Sequence, residues 1–172
     1  IASAGNKNIT TVSGSIKTGD VVEGTGEFAY GIWNEGNENT TTVSGSIKTT
    51  GDYAGGIVKI GDDNRTTVSD TGSIETAGDV AFGIANFGNE NRTTVSGSIK
   101  TEGELAFGIV NINAQDTIVE LSSDRNETTV SGTGSIETAG HDAVGIANIG
   151  VGNKTTVSGS IKTGDVDANT GD

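Results

Sequence analysis

One short sequence is repeated six times along this chain, and this repeat limits the possible folds more than any other feature. Each copy reads Asn-x-Thr-Thr-Val-Ser and leads into Ser-Ile-x-Thr. Three copies continue through Gly-Asp to Ala-x-Gly-Ile, and two more reach Ala-x-Gly-Ile with Glu or His in place of the Asp. A repeat with a fixed residue type at each position is typical of a solenoid, in which each unit buries its apolar face against its neighbours. Function is therefore sought in columns of equivalent residues and not in single side chains.

The spacing of the copies defines the repeating units. The first Asn of each copy stands at position 8, 39, 64, 91, 126 or 153, so successive copies lie 31, 25, 27, 35 and 27 residues apart. These spacings predict a single domain over residues 1–172, with repeats beginning near residues 6, 37, 62, 89, 124 and 151. Two units are longer than the others, because they carry insertions at 21–26 and 113–123.

Each unit contains three short segments rich in β-branched residues and separated by Gly, Asn and Asp, which are strand and turn signals. In the fourth unit these segments are 93–96, 98–101 and 106–111. Three strands in so short a unit make one coil of a parallel β-helix, whose successive coils pair strand on strand. A β-propeller blade needs four strands, and a leucine-rich repeat needs a Leu pattern that this chain lacks. We predict an all-β fold, a parallel β-helix (β-solenoid) of about six three-strand coils with uncapped ends.

Composition agrees with a thin core and excludes several partners. Only 31% of the residues are hydrophobic and 4% aromatic, and the apolar residues are mostly Val, Ile and Ala. The net charge of −13 disfavours binding to nucleic acid or to an anionic membrane, since both need positive protein surface. The chain has no Cys, which rules out disulfides and thiolate metal sites. No segment approaches the ~20 apolar residues of a membrane-spanning helix.

Period-two alternation along the strands predicts three inward columns of β-branched residues. The first column is Val12, Val43, Val68, Val95, Val130 and Val157. The second column is Ile16, Ile47, Ile74, Ile99, Ile136 and Ile161. The third column is Ile1, Ile32, Ile57, Ile84, Ile109 and Ile146. Strict alternation would also place Tyr30, Phe82 and Phe107 inside, whereas a bulge at the Gly before the Ile would turn them out, and the sequence leaves both arrangements open.

The first Asn of each copy forms a fourth column, which we interpret as a structural asparagine ladder. Asn tolerates left-handed backbone conformations at corners, and stacked Asn side chains can hydrogen-bond along the axis. Each of these residues also lies in an Asn-x-Thr sequon, so glycosylation is the alternative, although a glycan would clash with a stacked or inward Asn. The ladder consists of Asn8, Asn39, Asn64, Asn91, Asn126 and Asn153.

Outward rows of Thr and Ser run beside the first column, from Thr11 and Ser13 to Thr156 and Ser158. Thr and Ser are good outward strand residues, which explains the rows without any ligand. Regular Thr-x-Ser rows also resemble the threonine arrays of ice-binding β-solenoids. The second position is always Ser and the neighbouring face is charged, so ice binding remains an alternative hypothesis only.

No constellation of residues indicates catalysis, and we expect no enzymatic activity and no cofactor. The single histidine, His141, lies at a turn beside Asp142 without a nucleophile motif. Four aspartates, Asp62, Asp63, Asp70 and Asp79, fall at turn positions, where carboxylates are common. Calcium could bind at such acidic corners, but the nonapeptide of calcium-binding β-rolls is absent.

The chain starts and stops in mid-coil. Its first residues match the end of a third strand, and its last residues match the turn after a second strand. Bare β edges recruit other strands, and no capping segment is evident. Either more repeats continue on both sides or copies stack head to tail, so we expect the partner to be a second copy of the chain. The residues expected at this end-to-end interface are Ile1, Ala2, Ser3, Ile161, Thr163, Asp165 and Val166.

The order of motifs, as in Asn91-Arg-Thr-Thr-Val-Ser-Gly-Ser-Ile-Lys-Thr through Ala106-Phe-Gly-Ile, resembles the β-helix repeats of bacterial autotransporter and haemagglutinin-type adhesin passengers. The resemblance covers all 172 residues. It implies a right-handed β-helix, located outside the cell or on its surface, that serves as a rigid fibre or stalk or binds cell-surface or carbohydrate ligands. The insertion, with Ile118, Val119 and Leu121, interrupts the repeat and is the segment expected to contact a partner.

Overall fold

The structure is a computed structural model that describes residues 1–19, 28–112 and 125–164. Within these ranges the chain forms strands and turns and no helix. Eighteen strands follow one another in groups of three, and each group makes one coil. The predicted all-β parallel solenoid is therefore confirmed.

The strand bounds repeat from coil to coil with little change. The first two coils contain β1 (Ala2–Ala4), β2 (Ile9–Val12), β3 (Ser15–Gly19), β4 (Tyr30–Glu35), β5 (Thr40–Val43) and β6 (Ser46–Thr50). The third and fourth contain β7 (Gly55–Ile60), β8 (Arg65–Val68), β9 (Ser73–Ala77), β10 (Phe82–Phe87), β11 (Arg92–Val95) and β12 (Ser98–Glu102). The last two contain β13 (Phe107–Ile112), β14 (Glu127–Val130), β15 (Ser135–Ala139), β16 (Val144–Ile149), β17 (Lys154–Val157) and β18 (Ser160–Gly164).

Three parallel six-stranded sheets run along the solenoid axis. Sheet 1 has the order β1-β4-β7-β10-β13-β16, sheet 2 contains β2, β5, β8, β11, β14 and β17, and sheet 3 contains β3, β6, β9, β12, β15 and β18. Equivalent residues pair between coils, as Val68, Val95 and Val130 do in sheet 2. For the fourth repeat unit, whose segments correspond to β11, β12 and β13, the observed strands begin or end one residue away from the predicted segments, which is within the usual uncertainty of strand ends.

The interior combines the three apolar columns with columns of polar residues. Val95, Ile99 and Ile109 are 1% exposed or less, and the equivalent residues of the inner coils are also buried. Between them, Thr93 and Thr101 point inward and are equally buried. Every strand of sheets 2 and 3 except the terminal β17 and β18 thus supplies one β-branched aliphatic side chain and one Thr to the core. A core of this kind is thin, since it holds only one layer of side chains per sheet.

A bulge in sheet 1 settles where the aromatic residues lie. A Cβ on Gly83 would overlap Ile99 Cγ2, and Ile84 is also in the core, so two consecutive residues face inward. The inward-outward phase therefore changes at the glycine. Phe82 consequently packs on the outside of the sheet with Val58 and Ala85. Tyr30 and Phe107 belong to the same outer cluster.

Two corners of each coil use a left-handed residue, and it is not the ladder Asn. Before sheet 2 the residue with positive φ immediately precedes the ladder Asn, as Glu38 (φ 59°) precedes Asn39. Before sheet 1 the equivalent residue follows Gly-Asp, as in Tyr53 (φ 56°). Our expectation that the ladder Asn itself tolerates the left-handed corner is therefore wrong: the Asn serves as an acceptor, and its neighbour makes the turn.

Candidate functional site

The ladder asparagines form a continuous chain of hydrogen bonds along the axis. The backbone N–H of each of the first five ladder Asn donates to the side-chain Oδ1 of the equivalent Asn one coil further on. The bonds run Asn8 to Asn39 (2.8 Å), Asn39 to Asn64 (2.8 Å), Asn64 to Asn91 (2.9 Å), Asn91 to Asn126 (2.8 Å) and Asn126 to Asn153 (2.9 Å). The structure thus places the six predicted ladder residues in one column, joined through side chain and backbone and not by side chains alone.

The ladder geometry leaves no room for a glycan on the inner members. Asn39, Asn64, Asn91 and Asn126 are 1% exposed or less. The Asn39 Nδ2 atom, to which a glycan would be attached, donates instead to Gly36 O at 2.9 Å. In the folded solenoid these four Asn-x-Thr sequons are consequently inaccessible to glycosylation.

Two further ladders, which sequence reasoning missed, run along the corners. In the first, the backbone N–H of Asp62 donates to Asn37 Oδ1 (2.9 Å), and that of Asn89 donates to Asp62 Oδ1 (2.7 Å). In the second, the Asp79 N–H donates to Asp52 Oδ1 (3.1 Å), and Asp79 Oδ1 in turn accepts from the next coil. The signal in the sequence was an Asn or Asp directly after the corner Gly in most coils. Asp62 and Asp79 are therefore occupied as turn acceptors.

The remaining candidates for chemistry are separate from one another. His141 Nδ1 contacts Asp142 Oδ2 at 2.9 Å on the exposed surface, and Asp70 accepts from Thr133 Oγ1 at 3.2 Å. Asp63 is the left-handed corner residue of its coil. Within the described ranges no three His, Asp or Glu side chains lie close enough together to hold a metal ion. The same ranges contain no helix that is long and apolar enough to cross a bilayer.

A further inward column, made of polar residues of sheet 1, contains one residue that the sequence analysis did not predict to be buried. Asn34, Asn86, Asn111 and Asn148 occupy equivalent positions in sheet 1, and the third coil has Lys59 there. Asn86 Nδ2 donates to Asn111 Oδ1 (2.8 Å), and Asn111 Nδ2 donates to Asn148 Oδ1 (2.7 Å). Lys59 interrupts this series between Asn34 and Asn86.

Lys59 is an ammonium group placed in the core. Its side chain is 0% exposed, and its Nζ donates to the carbonyl oxygens of Asn39 (3.2 Å) and Arg65 (2.5 Å). No carboxylate pairs with it among the described residues. Burial disfavours the charged form and lowers the pKa of Lys59 to about 7.

The lysine also removes a hydrogen bond that other coils make. In those coils the inner Asn donates to the Thr seven residues later, as Asn34 does to Thr41 (2.8 Å) and Asn86 to Thr93 (3.1 Å). The corresponding Thr66 hydroxyl is buried without a partner. Lys59 therefore leaves the Thr66 hydroxyl unsatisfied in addition to bringing its own charge into the core, and both effects destabilise this coil.

The outer faces of sheets 2 and 3 are polar and carry ion pairs between coils. Lys48 pairs with Glu75 at 2.8 Å in sheet 3, and Arg92 pairs with Glu127 at 2.8 Å in sheet 2. Hydrogen bonds from the Lys154 and Arg92 side chains hold the pKa of the Glu127 carboxyl below its usual value. On sheet 2 the row of charged residues runs directly beside the outward Thr row.

The two ends of the described solenoid expose the columns that inner coils cover. At one end Val157 is 44% and Ile161 39% exposed, whereas the equivalent Val95 and Ile99 are nearly fully buried. At the other end Ile1 is 54% exposed, and Ala2 and Ser3 lie in β1, which has a neighbour on one side only. Thr163 lies in the terminal strand β18.

Five residues with predicted roles lie outside the described residues. These are Asp165 and Val166 of the expected end-to-end interface, and Ile118, Val119 and Leu121 of the insertion.

Comparison with protein families, curated proteins and solved structures finds no match to this chain.

Proposed function

We propose that this protein is a structural β-solenoid that forms a rigid fibre or stalk by head-to-tail stacking of copies through their open ends. The observation that carries the proposal is that core-column residues are exposed at both ends, Ile1 at one end and Val157 and Ile161 at the other. Val157 and Ile161 terminate two columns that begin at Val12 and Ile16. An interface that joins one end to the other end does not close, and therefore generates an open filament.

The coil-to-coil register specifies how two copies would meet. Within the chain, Ala2 pairs with Trp33, whose equivalent in the last coil is Ala147. Continuing the same register places β1 of one copy beside β16 of the next and β2 beside β17. The backbone N–H of Asn153 would then donate to Asn8 Oδ1 of the second copy, which continues the ladder across the interface. Strand addition of this kind supplies backbone hydrogen bonds across the whole end face.

Charge acts against stacking at low ionic strength. Every copy carries a net charge of −13, so two copies repel one another. Added salt screens this repulsion and shortens its range. The register also places Lys162 near Lys17, the outward residues of β18 and β3. Assembly is therefore expected to be weak in low salt and stronger near physiological ionic strength.

Electron microscopy and analytical ultracentrifugation of the purified chain, with and without salt, test this proposal. The wild type should form filaments with an axial repeat of roughly 29 Å, the height of six coils at ~4.8 Å each. Ile161→Lys puts a charge into the proposed interface and should leave the protein monomeric. Thr156→Lys, which changes an outward residue of the terminal strand β17, is the matched control and should assemble like the wild type.

Two results would refute head-to-tail stacking. One is a wild type that stays monomeric at high concentration and physiological salt. The other is an Ile161→Lys variant that assembles as well as Thr156→Lys, while circular dichroism shows that both are folded.

The resemblance to adhesin passengers supports a second version of the same role, as a stalk segment that holds binding sites away from a cell surface. Both versions place the protein outside the cell. They differ in whether purified copies stack by themselves, so the microscopy above separates them. The charged row on sheet 2 interrupts the flat Thr surface that ice binding would use, and an absence of thermal hysteresis would exclude that alternative.

A further inference from the structure

The aromatic residues of this chain are gathered on one side of the solenoid. The chain has seven aromatic residues, and all of them lie within the described ranges. Tyr30, Trp33, Phe82, Phe87 and Phe107 pack in the cluster on the outer surface of sheet 1. The other two, Phe28 and Tyr53, lie at the corner that leads into sheet 1 and stack at 5.4 Å between ring centroids. Sheets 2 and 3 have none.

This outer surface, which we call the apolar face, consists of three rows of side chains across the strands of sheet 1. Val58, Ala85 and Val110 form its middle row and are buried beneath the larger residues on either side. Phe82 and Phe107 stack in one flanking row with centroids 5.6 Å apart. The other flanking row contains Glu35 of β4 at one end, then Ile60, Phe87 and Ile112, and Ile149 at the other end.

Among the strands of sheet 1 the apolar face carries one outward charged residue, Glu35 at the end of β4, whereas the other two sides carry rows of charges. Along β7, β10, β13 and β16 all outward residues are apolar, and the one charged residue of these strands, Lys59, points inward. Ion pairs such as Lys48–Glu75 and Arg92–Glu127 lie on sheets 3 and 2. Large apolar side chains at the margins of the face are exposed, with Phe28 at 57%, Ile149 at 52% and Tyr53 at 44%.

We propose that the apolar face is a lateral interface, at which the solenoid pairs side by side with a second copy of itself. A face whose one charged group, Glu35, lies at its edge, and which has few hydrogen-bond donors, offers little to a polar or charged ligand but matches another apolar face. Pairing of two such faces also turns the charged sheets 2 and 3 of both copies outward. This is the arrangement that best separates two bodies of −13 net charge while they are in contact.

The size of the face predicts weak side-by-side pairing of single copies and stronger pairing of copies that are stacked end to end. Strands of six residues are ~20 Å long, and five strands at ~4.8 Å span ~24 Å, so the face measures roughly 480 Å². Two faces together bury about 960 Å², which is below the 1,200–2,000 Å² of stable complexes. Single copies should consequently pair only at high concentration. If copies stack end to end as proposed above, the faces join into a continuous stripe and pairing gains from multivalency; this second effect rests on the proposed function.

Photo-crosslinking tests the lateral interface independently of stacking. Phe107 is replaced by benzoyl-phenylalanine in an Ile161→Lys background, in which the end interface is blocked. Irradiation at high protein concentration should give dimers whose crosslinks join residue 107 to the apolar face of the second copy. Crosslinks to sheet 2 or sheet 3 of another copy, or only within one chain to residues 113–124, would overturn the proposal.

Sedimentation equilibrium supplies the quantitative test with charged variants. Phe107→Lys should weaken lateral pairing at least tenfold, and so should Tyr53→Lys, whose side chain is already exposed and whose replacement does not touch the core. Thr94→Lys on the outer face of sheet 2 is the control and should change pairing less than twofold. Equal effects of the three substitutions, or no pairing of the parent protein at millimolar concentration, would refute the lateral interface. If the wild type forms filaments, these should be double or wider, whereas filaments one solenoid wide would also refute it.

Discussion

Replacement of Lys59 by Asn is expected to stabilise the solenoid, most strongly at and below neutral pH. Asn is the residue that four other coils place at this position of the inner column. The substitution removes a buried charge that no carboxylate neutralises among the described residues. It also provides an amide that can donate to the orphaned Thr66 hydroxyl, as Asn86 donates to Thr93.

The size of the effect follows from the pKa of the lysine. Burial lowers this pKa from 10.5 to about 7, and such a fall corresponds to roughly 5 kcal/mol of lost stability at and below pH 7. A recovered hydrogen bond adds about 1 kcal/mol, whereas the smaller Asn side chain loses about 1–2 kcal/mol of packing. The net gain for Lys59→Asn near pH 7 is therefore about 4 kcal/mol.

The gain should depend on pH in a defined direction. Between pH 7 and 10.5 the unfolded chain binds more protons at Lys59 than the folded chain does, so the stability of the wild type rises with pH. The full penalty is present below pH 7 and disappears above 10.5. The difference between Lys59→Asn and wild type should accordingly be largest at pH 6–7 and small at pH 10.5.

Urea denaturation from pH 6 to 10.5, followed by the fluorescence of the single Trp, measures this difference. Lys100→Asn, which changes an outward lysine of β12, is the control and should shift the free energy of unfolding by less than about 0.5 kcal/mol. A titration of the Lys59 side chain by NMR gives its pKa directly. The reasoning is refuted if Lys59→Asn is no more stable than wild type at pH 7, or if the gain is the same at all pH values.

Other substitutions test the ladder, the bulge and the columns. Asn91→Ala removes the acceptor of the buried Asn64 N–H and should cost about 1–3 kcal/mol, with faster hydrogen exchange at the Asn64 amide than in wild type. Gly83→Ala should prevent or strongly weaken folding, because the added Cβ would lie 2.5 Å from Gly108 O and overlap Ile99. Gly132→Ala is the control and should be neutral, because nothing lies within 4 Å of the added Cβ. Circular dichroism of both variants measures the difference. Ile99→Ala should cost about 2–5 kcal/mol in urea denaturation, whereas Ile161→Ala should cost less, because Ile161 is 39% exposed.

Much of the architecture can be read from the sequence because a solenoid repeats local rules. The Asn spacing marks the coils, and alternation along β2, β5 and their equivalents separates inward Val from outward Thr and Ser. The same register brings Asn39, Asn64 and Asn91 into one column. These are short-range properties of a strand and its neighbour one coil away, so one repeat contains nearly all the information needed.

The rest depends on contacts between sheets, which no single repeat reveals. Phe82 and Phe107 lie outside because the interior has no space beside Gly83 once Ile99 occupies it, and alternation alone could not choose between the two sides. Lys59 was overlooked because lysine is expected at the surface, although its neighbours Ile57 and Val58 fix its direction inward. The strand phase that sets this direction changes at the glycine bulge. The repeat itself thus determined the coils, the apolar columns and the ladder. Only the tertiary structure decided which face became apolar and which charge was buried. These two features depend on how the sheets close around a narrow core.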